Sequence, residues 1–223
     1  MLKRSVNYNF DYIPDIHHRF EAGLLRKKVS GKRVLDIGCW TGQFLSLIEK
    51  DAKTYGIDPD KSAIKFANAH RRGDFVVGTA LKLPYKKNYF DVVTMWDVIE
   101  HIPPNTEVRA LREATRVLKK GGLFALSTVT THPVSILLDP AYFLLGHRHY
   151  SQKKLHSLMK RTGFRIGKTI YSGGLWALIR ENINLLAKHL FGRNINFLFL
   201  ERLVKSEYQG KGFYQIHIFA TKL

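Results

Sequence analysis

The chain has 223 residues, of which 45% are hydrophobic, and it carries a formal net charge of +18. This size and composition predict a globular protein with one domain and a single large core. One cysteine, Cys39, excludes an internal disulfide framework, and no apolar run reaches the roughly 18 residues that a membrane span needs. The first residues are basic without an apolar stretch behind them, so we expect no signal peptide and a cytoplasmic location.

The positive charge is concentrated outside the middle of the chain. Lys and Arg outnumber Asp and Glu by 8 to 3 in residues 1–33, by 14 to 12 in residues 34–146 and by 14 to 3 in residues 147–223. A basic surface attracts a polyanionic partner, either nucleic acid or an anionic membrane. A solvated basic surface without a partner is the other interpretation that the composition leaves open.

Strands and helices alternate along most of the chain. Residues 1–30 form a predicted N-terminal cap with a helix from Ile16 to Lys28. We predict strands at residues 33–37, 53–58, 74–78, 89–96, 123–129, 163–166 and 212–220, and helices at residues 43–50, 61–70, 105–118 and 151–161. This alternation predicts an α/β fold in which a doubly wound, Rossmann-like sheet carries helices on both faces.

Two segments interrupt this alternation, at residues 131–150 and 175–205. The first is apolar and irregular, and the second is amphipathic, with a break at residues 192–194 and a second amphipathic stretch from Phe197 to Val204. The predicted apolar face of the second segment holds Leu175, Ile179, Ile183, Leu186 and Leu190, opposite Arg180, Asn184 and Lys188. We expect both segments to cover an acceptor site as lids, although simple packing over the sheet is equally compatible with the pattern.

The stretch from residue 34 to residue 45 indicates a ligand site. A buried strand ends near Asp36, Gly38 lets the backbone approach a ligand, and the helix predicted from Gln43 offers free N–H groups. The second strand ends on Asp58, where a carboxylate can accept both hydroxyls of a ribose. We therefore expect a ribose-containing ligand at the carboxyl ends of these two strands.

Five motifs follow one another in a characteristic order. They are Val-Leu-Asp-Ile-Gly-Cys-Trp-Thr-Gly (34–42), Gly-Ile-Asp-Pro (56–59), Phe-Asp-Val-Val (90–93), Asp-Val-Ile-Glu-His-Ile (97–102) and Leu-Lys-Lys-Gly-Gly-Leu (118–123). Together they resemble class I S-adenosylmethionine-dependent methyltransferases, in particular the branch that acts on small molecules such as quinone precursors. The resemblance implies a seven-stranded sheet with a reversed last strand, S-adenosyl-L-methionine as cofactor and S-adenosyl-L-homocysteine as product.

The resemblance also implies the roles of individual residues. It places Asp36 and Gly38 at the methionine end, Asp58 at the ribose, Thr79, Ala80 and Leu81 at the adenine, Trp96 and Asp97 beside the methyl donor, and Arg19 at the cofactor carboxylate. Cys39, Gly42 and Pro59 are also expected among the cofactor-binding residues. The family often has an acid where Thr79 stands, so we expect the adenine amine to be bound through backbone or hydroxyl groups.

Two hypotheses concern the loop after the fourth strand. His101 is the candidate base for an acceptor that must lose a proton, unless the Glu100-His101 pair only shapes this loop. Alternatively, Asp97-x-x-Glu100-His101 resembles the pattern that binds a divalent metal in quinone-precursor O-methyltransferases and small-RNA 2′-O-methyltransferases. His149 would then supply a fourth ligand, and we favour this metal hypothesis less than the base.

The sequence therefore predicts a methyltransferase that acts on a small-molecule or lipid-precursor acceptor, with oxygen as the acceptor atom. The apolar and basic last third suits a hydrophobic acceptor, or peripheral contact with an anionic membrane at its inner face. An RNA methyltransferase that uses the basic C-terminal surface is the alternative, although the chain lacks an Asn-Pro-Pro-Tyr motif. A cofactor-binding protein without catalysis is a third possibility, and the sequence leaves the oligomeric state open.

Overall fold

A computed structural model describes residues 14–139, 142, 146–191, 197–209 and 212–223. The part of the predicted cap before Pro14 and the predicted helix break at residues 192–194 lie outside the described residues. In chain order the elements are α1 (Ile16–Val29), β1 (Arg33–Ile37), α2 (Gln43–Ser46), β2 (Lys53–Asp58), α3 (Lys61–His70), β3 (Asp74–Val77), β4 (Phe90–Trp96), α4 (Glu107–Val117), β5 (Leu118–Val129), α5 (Pro133–Leu137), α6 (Gln152–Arg161), β6 (Phe164–Ser172), α7 (Leu175–Phe191), α8 (Leu198–Gln209) and β7 (Gln215–Lys222).

The strands form one seven-stranded sheet in the order β3-β2-β1-β4-β5-β7-β6. The pairs from β3 through β5 are parallel, and β7 runs antiparallel to both β5 and β6. This arrangement confirms the predicted sheet with a reversed last strand. The chain winds outward from β1 in both directions, so the edge at the carboxyl ends of β1 and β4 is the switch point where α/β sheets bind ligands.

The two faces of the sheet are covered by different helices. Val34 and Leu35 are neighbours on β1 but belong to different buried clusters, because successive side chains of a strand point to opposite faces. One cluster packs under α4 and α6, and the other packs under α1, α2 and α3. The predicted doubly wound arrangement with helices on both faces is therefore confirmed.

The helix predicted from Gln43 to Lys50 is wrong in length, because α2 ends at Ser46. The Leu47 N–H donates to the Phe44 carbonyl oxygen (3.1 Å) and the Ile48 N–H to the Leu45 carbonyl oxygen (3.0 Å). These bonds span three residues instead of four, so the chain tightens into turns before β2. The helix that the sequence predicts to offer free N–H groups after the turn is therefore only four residues long.

The predicted apolar face of the second lid segment is also wrong. Leu175 and Leu186 are exposed, whereas Arg180 is only 4% exposed. The Arg180 guanidinium contacts the carboxylates of Glu181 (2.6 Å) and Glu201 (3.7 Å), the latter on α8. Besides its neighbour Glu181, two acids from elsewhere in the chain, Asp15 (3.8 Å) and Glu201, surround the buried arginine, and the local pattern of α7 could not show these two partners. The side chains of Lys188 and Leu190 lie outside the described residues.

Helix α7 is held at its start by α8. The Glu207 carboxylate accepts hydrogen bonds from the N–H groups of Gly174, Trp176 and Ala177, each 2.9 Å long. A carboxylate there satisfies free N–H groups and complements the positive end of the helix dipole. The two helices therefore form one unit over the sheet. Within the part of the chain that the structure describes, no helix has the length and apolarity that crossing a bilayer requires.

Replacing Gly38 by Ala should destabilise the fold strongly. Gly38 has a φ of +78°, and a Cβ atom there would lie 2.2 Å from Val98 Cγ2. The left-handed backbone costs another residue about 1–2 kcal/mol, and the overlap adds about 1–3 kcal/mol. We expect urea denaturation of Gly38→Ala to show a free energy of unfolding lower by about 2–5 kcal/mol.

Gly121→Ala is the matched control for that substitution. Gly121 has a φ of +72°, but no atom lies within 4 Å of the position that its Cβ would take. Only the backbone penalty of about 1–2 kcal/mol is expected. Equal losses of stability in the two variants would contradict the close packing between Gly38 and Val98.

Candidate active site

The carboxyl ends of four neighbouring strands bring most of the predicted site residues into one row. Thr79 follows β3, Asp58 ends β2, Asp36 and Gly38 lie at the end of β1, and Asp97 follows β4. Parallel strands end at the same edge of a sheet, so these groups lie side by side although the chain separates them.

Asp58 is buried at the tip of β2 and already accepts two backbone hydrogen bonds. Its Oδ2 accepts from the Trp40 N–H (3.0 Å) and its Oδ1 from the Asp60 N–H (2.9 Å). Burial raises the pKa of this carboxyl against the effect of those two bonds. A carboxylate has about four lone-pair positions, so each oxygen keeps one for a further donor. This acceptor pair fits two neighbouring hydroxyls.

Asp36 is buried between β2 and β4, where the Thr94 hydroxyl donates to its Oδ1 (2.7 Å). Burial raises the pKa of Asp36 to about 7, while the bond from Thr94 acts in the opposite direction. The carboxyl is therefore partly ionised near neutral pH and holds a fixed position behind the turn at Gly38.

The turn after β1 allows close packing of the backbone. Gly38 accommodates Val98 from the loop after β4, and a Cβ atom on Gly42 would lie 2.9 Å from the Phe75 ring. The Cys39 thiol is buried, and a Cβ atom on Gly56 would lie 2.6 Å from its Sγ. Cys39 therefore packs in the core, and its predicted contact with the cofactor stays a prediction.

The segment after β3 lies beside Asp58. The Gly78 N–H donates to the Asp58 carbonyl oxygen (3.0 Å), and Arg109 Nε donates to the Leu81 carbonyl oxygen (3.0 Å). Thr79 is exposed, Ala80 is buried and Leu81 is half-buried. Of the remaining predicted residues, Pro59 is exposed beside Asp58, and Arg19 is exposed on α1 with its Nε donating to the Pro14 carbonyl oxygen (3.1 Å).

Trp96 turns its side chain into the core, where its ring packs edge-on against Phe44 with 5.7 Å between centroids. The indole Nε1 is buried and has no hydrogen-bond partner among the described residues. The group that reaches the edge of the sheet after β4 is therefore the Asp97 carboxylate. Its backbone has a φ of +50°.

A network that the sequence did not reveal surrounds Asp97. The Ser127 hydroxyl donates to Asp97 Oδ1 (3.0 Å), and Gln215 Nε2 donates to Oδ2 (2.9 Å). His17 Nδ1 lies 3.3 Å from the same Oδ2, and Glu21 Oε1 lies 3.0 Å from Ser127 Oγ, so Glu21 and Asp97 compete for the single proton of this hydroxyl. Only the four-residue spacing of His17 and Glu21 on one helix was a signal in the sequence. The other partners come from β5 and β7.

Hydrogen bonds from Arg148 hold the loop that carries Glu100 and His101. The guanidinium donates to the carbonyl oxygens of Ile99 (2.8 Å), Glu100 (3.3 Å) and Ile102, and to Glu107 (2.5 Å). His101 is exposed on this loop, and its ring stacks on the ring of His147 with 4.9 Å between centroids. Partial desolvation and the neighbouring His147 lower the pKa of His101, which keeps the imidazole neutral at neutral pH.

The structure groups Glu100 and His101 with neither Asp97 nor His149, the other two members of the predicted set of metal ligands. Both ring nitrogens of His149 are engaged, Nδ1 with the Thr130 carbonyl oxygen (2.7 Å) and Nε2 with Asp139 (2.8 Å). The donors of Glu100, His101 and His147 instead lie within 4.8 Å of one another. Glu100 Oε2 and His147 Nε2 are buried without a partner in the described part of the chain, which fits a cation between them.

Comparison with known proteins identifies the family. Residues 7–168 match a family described as "Methyltransferase domain". A ubiquinone biosynthesis O-methyltransferase of Pseudomonas aeruginosa is 32% identical over 178 residues, which cover 77% of this chain and 72% of that protein. The enzyme of the same name from Nitrosospira multiformis is 33% identical over 123 residues, 49% of this chain and 48% of its own length.

A solved structure has the same fold at lower identity. The [4+2]-cyclase SpnF has a TM-score of 0.67 and 22% identity, with 92% of this chain and 81% of that chain covered. This likeness concerns the fold alone, and the chain spans about half the length of some curated relatives that it matches. The matched domain and the seven-stranded sheet agree with each other. The chain therefore belongs to the methyltransferase domain family, among the class I S-adenosylmethionine-dependent methyltransferases.

Proposed function

We propose that this protein transfers a methyl group from S-adenosylmethionine to an oxygen atom of a small-molecule or lipid-precursor acceptor. The observation that carries the proposal is the Asp58 carboxylate, which keeps two free acceptor positions beside the glycine turn after β1. The relatives named as ubiquinone biosynthesis O-methyltransferases and as a demethylmenaquinone methyltransferase support an acceptor of the quinone-precursor class.

The row of residues along the carboxyl edge would hold the cofactor. In this proposal Asp58 and Pro59 bind the ribose, residues 79–81 border the adenine, and Asp36, Gly38 and Gly42 surround the methionine end with Arg19 at its carboxylate. The cofactor, when bound, supplies a methyl group already activated on a sulfonium. The protein then has to orient the acceptor and exclude water.

We propose that His101 accepts the proton that a hydroxyl acceptor loses. The imidazole is exposed at the same edge as Asp97, and its lowered pKa keeps it neutral and able to take a proton. The unpartnered atoms of Glu100 and His147 favour a second candidate, in which these residues and His101 hold a divalent ion. Such an ion, when bound, would lower the pKa of an acceptor hydroxyl.

The unit of α7 and α8 would cover the acceptor site and touch a membrane. Trp176, Leu186 and Phe199 expose 39%, 59% and 71% of their surface. Arg202 and Lys205 are exposed on α8, three and six residues after Phe199. Apolar side chains flanked by cations suit the interface of an anionic bilayer, where a lipid-like acceptor would be found. We therefore propose an anionic lipid surface as the partner of this unit.

The acceptor class is tested with labelled S-adenosylmethionine and cell extract separated into lipids, small molecules and RNA. We expect label in the lipid or small-molecule fraction. Label in RNA would support the RNA alternative instead. Cofactor binding with no transfer to any fraction would support a non-catalytic protein.

Asp58→Asn should weaken S-adenosylmethionine binding in calorimetry by about 10–100-fold, because hydrogen bonds to a charged group contribute about 1.5–3 kcal/mol. Asp60→Asn is the matched control in the same loop. Asp60 caps α3 by accepting from the N–H groups of Ser62 and Ala63, and Asn caps a helix equally well. Unchanged binding by Asp58→Asn, or equal weakening by both variants, would contradict the proposed role.

His101→Gln and His147→Gln distinguish the base from the ion. If His101 is the base, its loss lowers the methyl-transfer rate about 100-fold or more, whereas His147→Gln stays within a few-fold of the wild type. If an ion is required, both variants lose activity to the same extent, because each removes one of three ligands. We expect the first result. Equal loss of activity in both variants would contradict the role of His101 as the base and support the bound ion.

Flotation with vesicles tests the membrane contact. We expect wild-type protein to float with anionic vesicles but not with zwitterionic ones, and the double variant Trp176→Glu/Phe199→Glu to stay in solution. Leu223→Glu, at a residue that is 61% exposed outside the α7–α8 unit, should float like the wild type. Equal flotation of the wild type and the double variant would contradict the proposal that the α7–α8 unit contacts the membrane.

A further inference from the structure

A second group of side chains that can bind a metal lies between α1 and β7. His17 and Glu21 are four residues apart on one face of α1, and His217 comes from β7. His17 Nε2 lies 2.9 Å and His217 Nδ1 3.9 Å from Glu21 Oε1. All three donor atoms lie within 4.8 Å of one another. The donors of a tetrahedral zinc site are about 3.3 Å apart, between the two distances observed here.

The group is buried and incompletely bonded. Glu21 is 1% exposed and His217 is fully buried. His17 Nε2 is close to Glu21 Oε1 but not aligned for a hydrogen bond, and His217 Nδ1 also has no partner among the described residues. Buried polar atoms without partners are uncommon because each costs about 1–3 kcal/mol. Two such nitrogens directed toward one carboxylate indicate a missing partner.

In each of the two imidazoles, the ring nitrogen that faces away from Glu21 contacts a polar side chain, as is usual for histidines that bind a metal. His17 Nδ1 faces the Asp97 carboxylate at 3.3 Å, and His217 Nε2 faces the Ser172 hydroxyl at 2.7 Å. A histidine that binds a metal through one nitrogen usually donates the other N–H to a carboxylate or a similar acceptor, which fixes the tautomer. The nitrogens that remain, Nε2 of His17 and Nδ1 of His217, are those that converge on Glu21.

Charge also favours a cation at this position. Glu21 and Asp97 bring two carboxylates, and a divalent ion among neutral imidazoles would balance both. A proton on His17 is the competing solution, because it pairs with the same two carboxylates. That solution leaves His217 Nδ1 without a partner.

We propose that His17, Glu21 and His217 bind one divalent ion of the zinc type. Two imidazole nitrogens and one carboxylate oxygen suit zinc and similar transition metals better than Mg²⁺, which prefers oxygen ligands. The ion would fasten α1 to β7 and, through His17, fix the position of Asp97 at the active-site edge. The proposal stands independently of the acceptor and of the cluster formed by Glu100, His101 and His147.

Cobalt(II) titration of chelator-treated, full-chain protein tests the site, because Co²⁺ can replace zinc. Its d–d absorption bands are strong when it is four-coordinate and weak when it is six-coordinate, so the spectrum reports binding in a zinc-like site. The variant His101→Gln/His147→Gln serves as background, since it removes the neighbouring cluster. We expect one equivalent of Co²⁺ with a d–d band, and a melting temperature raised by roughly 5–10 °C at a hundredfold excess over Kd.

Variants of the three ligands decide the outcome. In the same background, Glu21→Gln and His17→Gln should each lose the band and the thermal shift, while His18→Gln, next to His17 on α1, should retain both. His17→Gln changes a side chain that is 13% exposed and so keeps the test valid if a more buried variant misfolds. A band that survives Glu21→Gln and His17→Gln, or its absence from the background variant, would overturn the proposal.

Discussion

The parallel pairing of β1 with β2 on one side and β4 on the other is the constraint on which the site depends. Asp36 lies opposite Gly56 in one pair and opposite Thr94 in the other. Strands β2 and β4 pair with opposite sides of β1, so no connection crosses the edge of the sheet between β1 and β4. The turn at Gly38 and the loop at Val98 can therefore face each other there. The positions of Asp58 and Asp97 follow from the same pairings.

Acidic groups gather at this edge of an otherwise basic protein. The chain has a net charge of +18, yet Glu21, Asp36, Asp58, Asp97 and Glu100 all lie at or next to the carboxyl ends of the strands. Burying carboxylates costs free energy unless hydrogen bonds or cations compensate it. In the proposed function one compensating charge is that of the cationic cofactor, and the ion proposed between His17, Glu21 and His217 supplies a second, while the basic outer surface remains for an anionic partner.

The sequence predicted the sheet well because its strands are short apolar runs that end on glycine or acid. Asp36 and Asp58 could be found in the same way, since each ends such a run. The network around Asp97 could not, because Ser127 and Glu21 are 106 residues apart and meet only once β5 is placed beside α1. Arg180 was misplaced for a similar reason: its acidic partner Glu201 lies on another helix.

In the proposed function one ligand occupies the row from Asp36 through Asp58 to Thr79. A crystal structure of the protein with S-adenosylhomocysteine measures this directly. We expect both ribose hydroxyls to donate to Asp58 and the methionine end to lie over the turn at Gly38. Binding of the ligand elsewhere, or ribose hydroxyls that make no contact with Asp58, would contradict this expectation.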